Sequence, residues 1–76
     1  MQNDLLHEVG NRVRELREEK KFSQEQLANL CNTDASYIRK LESGRLNISV
    51  RRLYHICGAL GVTLDMFFGG IGTNVK

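Results

Sequence analysis

Four side chains within TDASYIRKLESGR, residues 33 to 45, have the means to do chemistry together: Ala35, Ser36, Arg39 and Lys40. A hydroxyl donates and accepts hydrogen bonds, a guanidinium carries five donors in a fixed fork, and an ammonium carries three. That is a set for binding an anionic, acceptor-rich surface. It contains no base to activate a nucleophile. Elsewhere the histidines and cysteines, His7, Cys31, His55 and Cys57, lack the spacing of a zinc finger. His55 and Cys57 are two apart, so on a helix they diverge. No serine–histidine–carboxylate set and no phosphate-cradling glycine loop is evident. We therefore expect no enzyme, no cofactor and no metal, and read both cysteines as reduced core thiols.

The chain has 76 residues, of which 41% are apolar and 26% charged, which fits one small globular domain. A net charge of +2 names no partner, but its distribution is uneven. Residues 39 to 52 hold five cations (Arg39, Lys40, Arg45, Arg51, Arg52) and one acid, Glu42. The window is thus +4 and the remainder −2, a clustering that can mark a phosphate-binding surface. No apolar run approaches the roughly 18 residues of a membrane span, and no signal-peptide pattern opens the chain, so a cytoplasmic location is expected.

Five short helices are predicted to position these residues, with no strand. The first runs over about 5 to 20, with Val9, Val13 and Leu16 at helical spacing and Leu5 or Leu6 extending the stripe. Its Glu and Arg residues read as surface pairs. The second begins after Ser23, where SQEQ forms a capping box with Gln26, and Phe22 and Leu27 suit a hydrophobic staple. Leu27, Leu30 and Cys31 supply its stripe, and it ends near Cys31 or Asn32. The third is capped by Asp34 and stopped by Gly44; the fourth runs from Ser49 to about Leu60, with Gly61 as its stop. The fifth covers about 63 to 68, capped by Thr63. The second and third are joined by about three residues, a linker too short for side-by-side packing, which points to a helix-turn-helix. The domain is expected to span 1 to 68, with the glycine-rich 69 to 76 as a flexible tail.

Successive helical residues step by about 100°. With Asp34 at zero, the apolar pair Ile38 and Leu41 points near about 10°, while Ala35, Ser36, Arg39 and Lys40 average about 170°. Small residues precede long cations on this outward face, which suits a helix lying in a DNA major groove: Ala35 against a thymine methyl, Ser36 at a base edge, Arg39 bidentate on guanine, Lys40 on a base or phosphate. An ordinary solvated helix face would carry the same residue types.

The segments VGNRVRELREEKKFSQEQLA, YIRKLESG and LYHICGALGVTLDMFF resemble, in order, the Cro/repressor-type helix-turn-helix family, over about residues 5 to 68. The resemblance implies an all-α, five-helix, lambda-repressor-like DNA-binding domain, acting as a sequence-specific transcriptional regulator on double-stranded DNA. It places Ala35, Ser36, Arg39 and Lys40 at base-reading positions. It places Gln24, Tyr37, Ser43, Arg45 and Asn47 at the phosphate backbone, and pairs Arg17 with Glu42 inside the fold. Two departures stand out: Ile48 replaces a proline common before the fourth helix, and Asp34 puts a carboxylate near the expected DNA surface. Such proteins usually bind as two-fold dimers on inverted half-sites. Helices four and five carry apolar residues in excess of one core, so Leu64, Met66, Phe67 and Phe68 are expected at a homodimer surface, with one or more of Leu64, Phe67 and Phe68 closing the core. Within this reading an antitoxin-type regulator with a protein partner stays open; outside it, so does a protein-interaction module that uses the same fold with an incidental basic face.

Overall fold

The computed structural model describes residues 4 to 71. It contains α1 (Asp4–Glu19), α2 (Gln24–Leu30), α3 (Ala35–Glu42), α4 (Val50–Leu60) and α5 (Leu64–Gly69). No strand occurs among the described residues. None of the described helices is long and apolar enough to cross a membrane.

Helices of six to eleven residues such as α2 to α5 are too short to be stable alone, so their ends are fixed by local chemistry. Ser23, Asp34, Ser49 and Thr63 each accept a hydrogen bond from the amide three residues on, satisfying a donor the helix leaves open. At Ser23 the box is complete, with the Gln26 side chain accepting from the Ser23 amide at 2.7 Å. The C-termini of α1 to α4 share one stop. A residue at positive φ follows each helix, and its amide and the next one bond back into the last turn. Gly44 and Gly61 fill this position without strain, whereas Lys21 (φ 62°) and Asn32 (φ 58°) carry a Cβ there.

The core draws on every helix: Val9, Val13 and Leu16 from α1, Leu27 and Ala28 from α2, Ile38 and Leu41 from α3, Leu53, Ile56, Cys57 and Leu60 from α4, and Phe67 from α5. Each buried Val, Leu, Ile or Phe among them contributes roughly 1.5–3 kcal/mol on burial. Leu30, expected in the stripe of α2, is instead 57% exposed, and Ala28 packs inward in its place. The pair Leu27–Ala28 defines the buried edge, and Leu30 lies on the opposite side of the Leu27 position from Ala28. Leu5 is exposed, and Leu6 extends the α1 stripe only in part. Residues 69 to 71, expected in the tail, are held in the fold. Gly69 ends α5, the Ile71 amide bonds to the Phe68 carbonyl at 3.0 Å, and the Ile71 side chain packs against the core. The rest of the expected tail, 72 to 76, lies outside the described residues.

One contact sets how α1 and α3 meet. A Cβ on Gly10 would fall 2.3 Å from the Leu41 carbonyl oxygen and 2.7 Å from that of Glu42. The two backbones therefore touch, and only glycine fits between them.

Both thiols are free, and burial pushes the pKa of each up, that of Cys31 partly countered by Arg52. A thiol whose pKa is raised by folding stabilises the fold fully below its unfolded pKa, and that contribution is lost as pH climbs through the folded one. Chemical denaturation should therefore show stability falling on the alkaline side of the thiol range in wild type, and falling less in Cys57→Ala. Gly10→Ala should cost about 3 kcal/mol through backbone overpacking, while Lys21→Gly should gain about 0.5–1 kcal/mol by relieving the left-handed turn. Both are read from midpoints in urea.

Candidate nucleic-acid interface

The polar face of α3 begins where its cap ends. Asp34 Oδ1 accepts from the Tyr37 amide at 2.9 Å, so the carboxylate is engaged by the helix terminus. Ile38 and Leu41 point into the core with no exposure, fixing the rotation of the helix. That rotation leaves Ser36, Arg39 and Lys40 exposed and Ala35 half-buried. Ser36, Arg39 and Lys40, with Ser43 and Arg45 but not Ala35, line a shallow concavity of about 320 Å³ that gathers the three cations. No described hydrogen bond involves the side chains of Ser36, Arg39 or Lys40, so their donors face outward. Asn47 is exposed two residues beyond Arg45. The Ser43 hydroxyl donates to the Lys40 carbonyl at 2.9 Å, which ties it to the helix end and leaves its lone pairs to accept.

Below this face lies a buried acid. The Glu42 side chain is 2% exposed. Arg17 Nε donates to its Oε2 at 2.6 Å and Arg17 Nη2 to its Oε1 at 3.1 Å, the two-pronged geometry that favours arginine over lysine. Arg17 Nη1 also donates to the Phe22 carbonyl at 2.8 Å, and Gln24 Nε2 donates to Glu42 Oε1 at 3.0 Å. The Arg17–Glu42 pair thus joins α1, the turn before α2, the first residue of α2 and the last of α3. The hydrogen bond to Glu42 holds the Arg17 guanidinium above its ordinary pKa, burial opposing in part. Gln24, assigned by resemblance to grip phosphate, has its amide nitrogen committed to Glu42, leaving its amide oxygen and its remaining N–H. Tyr37 lies half-buried, and the Arg52 guanidinium carbon stands 4.7 Å from the centre of its ring.

A helix-turn-helix family model matches residues 13–67. The control protein C.MunI of a Mycoplasma species is 37% identical over 70 residues, covering 91% of this chain and 95% of that protein. The crystal structure of the restriction-modification controller protein C.AhdI from Aeromonas hydrophila superposes with a TM-score of 0.82 at 36% identity, over 87% of this chain and 96% of that one. The controller protein C.Esp1396I, solved as a tetramer in complex with its natural 35 base-pair operator, superposes with a TM-score of 0.81 at 33% identity, over 87% of each chain. The chain belongs to the Cro/repressor-type helix-turn-helix family. Its members are transcription regulators, not enzymes.

In this helix-turn-helix protein the apolar surface expected near α5 divides. Phe67 is fully buried in the chain's own core, so it is unavailable to a partner. Leu64 is half-buried against that core. Met66 and Phe68 are about half exposed, as are Val50 and Tyr54 or more so. Beside them Tyr54, His55, Gly58, Val62, Thr63 and Leu64 line an apolar cleft of about 400 Å³.

Sequence reasoning missed two arginines of α1, because glutamates at three- and four-residue spacing suggested ordinary surface pairs. Arg12 does pair with Glu15 at 3.1 Å. Its other donors, however, cap α5: Nε to the Phe67 carbonyl and Nη2 to the Met66 carbonyl, each at 2.9 Å. Arg14 turns toward Glu42, with its Nε 3.8 Å from Oε1. No local pattern announces either contact, since both partners lie far along the chain.

Removing one partner from the buried pair leaves the other unpaired. Arg17→Ala and Glu42→Ala should each cost about 3–5 kcal/mol, lowering the melting temperature by at least about 12 °C. Calorimetry on the two variants and their double mutant checks this, and the double mutant should lose less than the sum of the single variants.

Proposed function

We propose that this helix-turn-helix protein regulates transcription by binding an inverted-repeat operator as a two-fold dimer, with α3 in the major groove. One observation supports this above the rest. The outward face of α3 carries Ser36, Arg39 and Lys40 with no described side-chain hydrogen bond, on a helix whose rotation and docking are set by buried groups. A surface that binds by hydrogen-bonding base edges needs such rigidity, because each well-made bidentate contact contributes only about 1–3 kcal/mol of discrimination. Ala35 and Ser36 bring the helix close, Arg39 takes a guanine, and Lys40 takes a base or a neighbouring phosphate. Arg45, Ser43, Asn47, Tyr37 and the free edge of Gln24 face the sugar–phosphate backbone. The operator complex of the similar C.Esp1396I tetramer supports duplex DNA as the ligand.

One helix reads only a few base pairs, so a second copy is required for a usable site. Met66 and Phe68, with the neighbouring cleft, supply an apolar surface for that copy. Occupancy is then governed by protein concentration, with DNA binding and dimerisation linked.

Selection from random duplexes at two salt concentrations should enrich an inverted repeat with half-sites about one helical turn apart. Arg39→Ala and Lys40→Ala should each lose preference at particular positions while retaining the fold. Absence of enrichment would refute sequence-specific binding. Phe68→Asp should shift the protein to monomer in sedimentation at tens of micromolar; a wild-type monomer under the same conditions would refute the dimer.

A further inference from the structure

On the helical wheel of α3, Glu42 falls near about 80° and Tyr37 near about 300°, each about 70° from the apolar direction. They form the two shoulders between the buried and outward faces. Each shoulder holds an arginine from a different helix. Arg14 of α1 stands over Glu42, and Arg52 of α4 stands over Tyr37.

Both cations keep N–H donors at the surface. Arg17 already bonds both oxygens of Glu42, at 2.6 and 3.1 Å, so that carboxylate is neutralised from within. Arg14, at 3.8 Å, lies beyond hydrogen-bond reach, and its side chain is 51% exposed. It therefore keeps its N–H donors at the surface, beside the Gln24 amide that shares Glu42 Oε1, while the charges of Arg14 and Arg17 are answered by Glu42 and Glu18. Arg52 is exposed and rests on the Tyr37 ring, a contact that orients the guanidinium without consuming its N–H donors. It also borders a polar concavity of about 370 Å³ lined with Leu30, Cys31, Asn32 and His55. The first turn of α4 contains no acid to answer it.

The major groove is about 12 Å wide, about the diameter of a helix with its side chains. A helix seated there has the phosphates of one strand along one flank and those of the other strand along the opposite flank. We propose that Arg14 and Arg52 bind phosphodiesters of opposite strands, one on each side of α3, centring the helix in the groove. This rests on α3 being the groove-bound helix. The arginines carry no base information; they set lateral position, and so decide which base edges Arg39 and Lys40 reach.

Affinity of wild type, Arg14→Gln, Arg52→Gln and the double variant is measured against salt on the selected operator. Each single variant should lower the slope of log affinity against log salt by about 0.9, and the double variant by about 1.8. Arg14→Lys and Arg52→Lys should restore most of the slope, because charge and not the fork is what phosphate neutralisation needs. Phosphate ethylation interference should show each Gln variant losing contacts on one strand only, and a different strand for each. Melting temperatures should match wild type. Unchanged slopes, or loss of the same strand's contacts in both variants, overturns the assignment. Absence of salt-dependent duplex binding by wild type itself overturns the reading beneath it, and is seen before any variant is compared.

Discussion

The buried carboxylate of Glu42 is the point on which the arrangement turns. An ionised group so far from water is costly to bury, and it is tolerable because Arg17 and Gln24 fill its acceptor sites. Each partner comes from a different place along the chain. A hydrophobic core constrains distances between helices but lets them slide and rotate by small amounts; a bidentate ion pair does not. Glu42 is the last residue of α3, and its anchoring sets the axial position of the outward face. Gly10 adds the complementary constraint, since backbone contact with Leu41 and Glu42 fixes how closely α1 approaches at the same place.

At the other end of the molecule, α5 has six residues and one fully buried side chain, Phe67. It has no cation in its own last turn. Arg12 of α1 supplies one, bonding two carbonyls near its end. The same helix, α1, therefore holds α3 through Arg17 and α5 through Arg12. The expected base-reading and self-association surfaces are both referenced to a single rigid element, which is the geometry that a fixed half-site separation demands.

Much of this was legible from local chemistry. Three N-caps, two glycine stops, the helix count and the two faces of α3 follow from side-chain type at fixed offsets, and local rules act within a few residues. What was hidden involves distance along the chain or backbone contact. Leu30 looked like part of a stripe because helical spacing cannot say which of Ala28 and Leu30 faces the neighbouring helices. Phe67 and Phe68 looked alike until packing buried one and exposed the other. Arg12 and Arg14 were masked by nearby glutamates, and Lys21 and Asn32 by the habit of reading helix ends from glycine. The Arg17–Glu42 pair was reached only through resemblance, because no spacing rule links residues 25 positions apart.

The separation of duties on α3 has an evolutionary side. Ile38, Leu41 and Glu42 carry the fold, while Ser36, Arg39 and Lys40 share no described bond with it. Substitution at the latter set changes little that stability depends on, so those positions are free to vary quickly while the rest of the helix is held. A scaffold divided in this way behaves as a cartridge. With α3 reading DNA as proposed, descendants of one ancestral chain can diverge in what they recognise through a few outward replacements, without passing through unfolded intermediates.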